Sequence, residues 1–322
     1  MFEELKNLKK VELHLHLDGS VMIPTLSKLT GKSEEELKNQ MIAPSKCENL
    51  SEYLTKFDLP IRFMQTKENL EIVAKDLVNY LKKENVIYAE IRFAPQFHTK
   101  EGLTYEDIVE SVLAGLKSNT SIKTNLILCM MRGFSKEENL KTIDVAAKYL
   151  NKGVCAIDLA GAEDKYPLDD YIELFEVVKK KKIPFTIHAG DNGNYQEVEK
   201  AIVLGAKRIG HGIHAIDSIP VMDLLKEKDI LLEICPSSNV QTNSIDKYEN
   251  HPIYKFYKNR LKVCINTDNK TVSNISLTDE YLKLYNNFGF TVDDFIKMNI
   301  YAIEKSFLSN EEKNKLIRNL QE

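Results

Sequence analysis

The chain has 322 residues, 43% hydrophobic and 29% charged, with a net charge of −4. That mixture is ordinary for a globular protein and argues against nucleic acid or an anionic membrane surface as the main partner. No apolar run reaches the length of a membrane span, and the opening MFEELKNLKK lacks the apolar core of a secretory leader; the expectation is one cytoplasmic domain over residues 1–322. The five cysteines, Cys47, Cys129, Cys155, Cys235 and Cys264, form no CxxC pair. They read as reduced core thiols rather than disulfides or a thiolate metal site.

The first predicted strand is VELHLHL, residues 11–17, closed by Asp18-Gly19. Residues two apart share a strand face, so His14 and His16 leave the same side. They read either as polar residues on an exposed face or as paired metal ligands. Leu13, Leu15 and Leu17 make the opposite face apolar, as in a strand covered on both sides. The gap from Ser20 to Asn85 is too long for one helix. Within it SEYLTKFDLPIRFMQT (51–66) predicts a helical excursion over the site, an apolar lid.

Seven more apolar runs follow: VIYAEIRF (86–93), TNLILCMM (124–131), GVCAIDLA (153–160), IPFTIHA (183–189), RIGHG (208–212), ILLEIC (230–235) and KVCINT (262–267). The segments between several of them have helical periodicity. One opens at Ser135 with an N-cap and an acidic first turn; another ends in four lysines, which suit a helix C-terminus. Eight strands alternating with helices predict an α/β fold, a (β/α)8 TIM barrel with an extended helical lid insertion after the first strand. The doubly wound alternative lacks its glycine-rich phosphate loop.

Polar residues collect where the predicted strands end. His14, His16 and Asp18 close the first, DLAGAE the fourth, HAGD the fifth, GHGIH the sixth, CPSSN follows the seventh and NTDNK closes the eighth. In a barrel these ends face one mouth. His14, His16, His188 and Asp268 form an N₃O donor set that suits one Zn²⁺ per chain with a place open for water; iron or another divalent ion would fit the same donors. His211 is then free to orient that water or take its proton, or else to serve as a fifth ligand. No lysine ends the fourth strand, which disfavours a bridged binuclear site. His98, His214 and His251 read as structural or surface residues.

The ordered set VELHLHLDGS, YAEIRFAPQ, MMRG, AIDLAGAE, TIHAG, RIGHG, LEICPSSN and NTDN resembles the adenosine deaminase family of the amidohydrolase superfamily, from about Val11 to Tyr285. The resemblance implies His14, His16, His188 and Asp268 as zinc ligands and His211 as the partner of the attacking water. It implies His16, Asp18, Gly161 and Asn269 as substrate contacts: Asp18 on the ribose side, the Gly161 N–H at the purine ring, Asn269 at N7. The implied reaction is zinc-dependent hydrolytic deamination of a small-molecule purine nucleoside, most simply adenosine to inosine and ammonia, after an acid protonates N1. The family carries that acid as the glutamate of HAGE. Here Asp191 stands in its place, shorter by one methylene. The alternatives are a deaminase of adenine or a modified adenosine, and a weakly active or non-catalytic purine-binding relative.

Overall fold

Alternation along the strands decides which residues fill the barrel. A computed structural model describes residues 1–321. Its eight strands are β1 (Lys10–His16), β2 (Val86–Phe93), β3 (Lys123–Met131), β4 (Val154–Ala160), β5 (Thr186–Ala189), β6 (Arg208–His211), β7 (Leu231–Ile234) and β8 (Lys262–Ile265). Strands β1 to β4 pair in parallel in sequence order, and so do β5 to β8. Single bridges join the two sets, Ile157 to Phe185 and Leu15 to Asp268. The chain is a (β/α)8 barrel, as the spacing of strands and helices predicts.

On β1, Val11, Leu13 and Leu15 are buried in hydrophobic clusters with residues of the surrounding helices. Glu12 and His14 belong to the other alternation set and are equally buried, within a polar interior. Arg92 spans that interior, with Nη1 2.8 Å from Asp158 Oδ2 and Nη2 2.7 Å from Glu233 Oε2. Arg208 completes the layer between Glu233 (2.5 Å) and Glu90 (2.6 Å). All five of these charged side chains, counting Glu90, are fully buried, so each charge depends on its partners.

Several strands are shorter than their apolar runs. At the seam between β8 and β1 the cause is a side chain. Asn266 Oδ1 accepts the N–H groups of Leu13 (2.8 Å) and His14 (3.1 Å), replacing ladder bonds that a β8 carbonyl would otherwise make. Beyond it the backbone resumes contact, with His16 N–H donating to Asp268 O at 2.7 Å. At the end of β6, His211 turns into the left-handed region, φ 62°, and ends the strand one residue early.

The helices follow their sequence signals. Ser135 and Glu138 form a capping box on Lys136–Tyr149, Asn194 caps Tyr195–Leu204, and Gly205 closes the latter with φ 102°. The insertion after β1 folds as Ile23–Thr30, Glu34–Met41, Leu50–Leu54, a 3₁₀ turn Thr55–Phe57, and Asp58–Phe63, before Lys67–Lys83 leads to β2. All five cysteines are buried and unpaired. Among the described residues no helix is long and apolar enough to cross a membrane.

Candidate active site

The strand ends converge on a cavity of about 310 Å³. Its floor is built by His16, Gly161, His188, Asp191, His211 and Asp268, and Asp18 and Asn269 join the wall. The insertion supplies Leu50, Tyr53, Leu54, Phe57, Asp58 and Ile61 to the same wall. The structure thus brings together every substrate, acid and ligand position that the sequence predicts, with His14 just beneath the cavity.

The four predicted ligands offer donor atoms all within 4.8 Å of one another. Asp268 Oδ1 lies 3.3 Å from both His14 Nε2 and His16 Nε2, and His16 Nε2 lies 3.3 Å from His188 Nε2. Donors held at about 2.0–2.1 Å around one tetrahedral zinc are about 3.3 Å apart, so the set fits a single divalent ion. His14 Nε2 is buried with no hydrogen-bond partner, which an ion would supply. The outer nitrogens are anchored from the barrel interior. His14 Nδ1–H donates to Glu233 Oε2 at 2.9 Å, and His188 Nδ1 lies 2.8 Å from Asp158 Oδ2. Such carboxylates fix the ring so that Nε2 presents its lone pair. Ser238 Oγ donates to Asp268 Oδ2 at 2.6 Å, leaving Oδ1 for the cluster.

A second donor group, His14, His211, Cys235 and Asp268, is also close enough to hold an ion. Burial holds the Cys235 thiol protonated, well above its usual range. A thiol is a poor ligand beside neutral imidazoles and a carboxylate, so the first group is the better site.

Both His211 and Asp268 have left-handed backbones, φ 62° and 60°. Such conformations cost non-glycine residues roughly 1–3 kcal/mol and cluster at functional sites. Burial lowers the His211 pKa to about 4, which keeps the ring neutral. Burial raises that of Asp18 to about 6, while its Oδ1 accepts the Gly19 N–H at 3.1 Å. Gly19 is required by contact: a Cβ there would stand 1.9 Å from Asn269 Oδ1.

Asp191 is fastened from two sides. Glu163 accepts the backbone N–H groups of Gly190 (2.9 Å), Asp191 (2.5 Å) and Gly193 (2.7 Å), clamping the loop. Burial, then the neighbouring Asp191, pushes the Glu163 carboxyl up. Asn239 Nδ2 donates to Asp191 Oδ1 at 2.7 Å. The sequence alone assigns no role to Asn239, Glu163, Glu233 or Asp158. A lone acid inside an apolar run, as in LLEIC, was the available signal, since such a charge stays buried only with partners. His251, read as structural or surface, is 3% exposed and reaches Asn239. His214 instead sits near the surface beside Asp217 at 2.9 Å.

Comparison with known proteins identifies the family. The adenosine deaminase family model matches residues 9–322. An adenosine deaminase of Clostridium perfringens is 41% identical over 324 residues, covering 97% of this chain and 98% of the relative. Among solved structures, an adenine deaminase of Arthrobacter aurescens superposes with a TM-score of 0.85 at 25% identity, covering 98% of each chain. The N6-methyl-AMP deaminase of Arabidopsis thaliana gives 0.87 at 24% identity over 100% of this chain and 98% of its own. The chain belongs to the adenosine deaminase family and is a hydrolytic deaminase acting on a C–N bond.

Proposed function

We propose that the protein deaminates an unphosphorylated purine nucleoside, adenosine best of all, with one zinc ion held by His14, His16, His188 and Asp268. The observation that carries the substrate class is the wall of the cavity: none of its lining residues is Lys or Arg, while Asp18 and Asp58 both line it. A nucleotide's phosphate would meet carboxylates there and no cation, whereas ribose hydroxyls can donate to them. A free adenine base would leave the buried Asp18 without a hydroxyl partner, which favours the nucleoside over the base.

Bound to these donors, zinc supplies the positive charge that makes water a nucleophile near neutral pH. Asp191 gives its proton to purine N1, which draws electron density from C6. His211, beside the ligands, orients the attacking water. The Gly161 N–H and the Asn269 amide hold the ring edge, and His16 flanks the bound ring. The apolar side chains of the insertion, Leu50, Tyr53, Leu54, Phe57 and Ile61, exclude bulk water and strengthen each of these interactions.

The test is ammonia release by the zinc-loaded protein from adenosine, adenine, N6-methyladenosine and AMP. Adenosine should give the highest kcat/KM and AMP the lowest. A preference for AMP would overturn the substrate class, and turnover of adenine alone would show that no ribose is read.

A further inference from the structure

Asn239 lies on the short helix Pro236–Gln241 that follows β7, and its side chain is fully buried. It touches three groups. Nδ2 lies 2.7 Å from Asp191 Oδ1 and 3.0 Å from His211 Nδ1, and Oδ1 lies 3.2 Å from His251 Nε2. The other nitrogen of His251, Nδ1, accepts the backbone N–H of Ile253 at 3.1 Å.

The hydrogen positions follow from the two ends of this chain. A backbone N–H is only a donor, so His251 Nδ1 carries a lone pair and its ring hydrogen is on Nε2. That hydrogen points at Asn239 Oδ1 and fixes which way the amide faces. At the far end the same answer holds. A flipped amide would set its oxygen 2.7 Å from the Asp191 carboxyl oxygen, two acceptors in contact. Nδ2 therefore faces Asp191 and His211, with one hydrogen for each. His211 Nδ1 accepts, so its own hydrogen is on Nε2. The rival arrangement, a His211 Nδ1–H donating to Asp191, fails on distance, since those atoms are 3.8 Å apart. On Asp191, Oδ1 is occupied as an acceptor, which leaves Oδ2 as the oxygen free to face substrate.

We propose that Asn239 and His251 are positioning residues that set the two proton-handling groups together. One buried amide makes His211 an Nε2–H donor and holds Asp191 by Oδ1, so that Oδ2 is the oxygen left for substrate; His251 keeps that amide from turning. The proposal rests on the deaminase reading above. It also explains how an aspartate serves where the resembled family carries glutamate: the shorter carboxyl is steered by Asn239 instead of being left to rotate.

Ring-¹⁵N histidine spectra of the zinc-loaded protein test this without turnover. In the wild type both His211 and His251 should be Nε2–H tautomers. In His251→Phe the amide loses its anchor. The His211 signal should become a mixture of tautomers, and kcat should fall about 10- to 100-fold, with KM and zinc content little changed. His251→Gln, whose amide N–H replaces the imidazole donor, should recover most of the rate. A wild-type His211 in the Nδ1–H form overturns the proposal, and that spectrum needs no variant to fold. So does a His251→Phe protein with unchanged His211 tautomer and unchanged kcat. Should the wild type release no ammonia from any purine, the functional reading fails, while the spectra still decide the hydrogen positions.

Discussion

Glu233 Oε2 accepts the Nδ1–H of His14 at 2.9 Å, between two side chains with no solvent exposure. The same carboxylate meets Arg92 at 2.7 Å and Arg208 at 2.5 Å. One acid thus orients a candidate ligand and pairs with two buried cations, whose remaining charge is met by Asp158 and Glu90. Glu233→Gln keeps the shape and removes the charge. It should weaken metal affinity about 10- to 100-fold and lower stability by about 3–5 kcal/mol. Competition with a chromogenic chelator reads the first, and urea unfolding of the metal-free protein reads the second. Wild-type affinity in this variant would show that Glu233 does not tune His14.

His16 and His211 should behave differently. His16→Ala removes one of four donors, so stoichiometric zinc should be lost on dialysis, whereas the wild type keeps one ion per chain. His211→Ala should keep the ion and lose about 10²–10⁴-fold in kcat. Elemental analysis of dialysed proteins separates the two. Loss of zinc from His211→Ala would make His211 a ligand.

Asp191 is expected to be the acid. Asp191→Asn should abolish turnover and spare zinc, because an amide has no proton to give to N1. Asp191→Glu lengthens a side chain already fastened to Asn239, and a displacement of about 1 Å can cost about 10²-fold in rate. Its kcat on adenosine should therefore fall rather than rise. A faster Asp191→Glu enzyme would show that the aspartate is merely a shortened glutamate.

Stability should depend on pH through His98, which is fully buried and whose Nδ1–H donates to Met64 O at 2.9 Å. Burial lowers its pKa from 6.5 to about 4. The unfolded chain takes up the proton first. The contribution is therefore complete above pH 6.5 and declines as pH falls towards 4, at up to about 1.4 kcal/mol per pH unit. His98→Asn retains a donor for Met64 and has nothing to titrate, so its urea midpoints should vary less across this window. An identical slope in both proteins would assign the effect to other groups.

Much of this architecture is legible in the residues. VIYAEIRF is β2 residue for residue: Ala89, Ile91 and Phe93 alternate with Glu90 and Arg92, which belong to the polar interior. His14 and His16 announced themselves through period two. What was not legible depends on contacts that bring distant residues together. Asn239 and His251 meet only because a turn and the 3₁₀ segment Tyr248–Asn250 fold back on the helix that follows β7. Glu163 grips the Asp191 loop from 28 residues away. His and Asp enter the left-handed region more readily than most non-glycine residues, but that tendency does not single out His211 and Asp268 among the other histidines and aspartates of the chain.

The seam closed by Asn266 joins residues 253 apart in the chain. His14 and His16 stand on one side of it and Asp268 on the other, so a single ion would clasp the first strand to the last. Closing so long a loop is the step with the largest entropic cost in the barrel, and the clasp exists only once that step is complete. Metal uptake should accordingly be a late event in the life of each molecule. During refolding from urea, tight zinc retention should develop with the final structural phase. Chelation of the finished protein should lower the midpoint of global unfolding, because a ligand bound only by the closed form stabilises all of it.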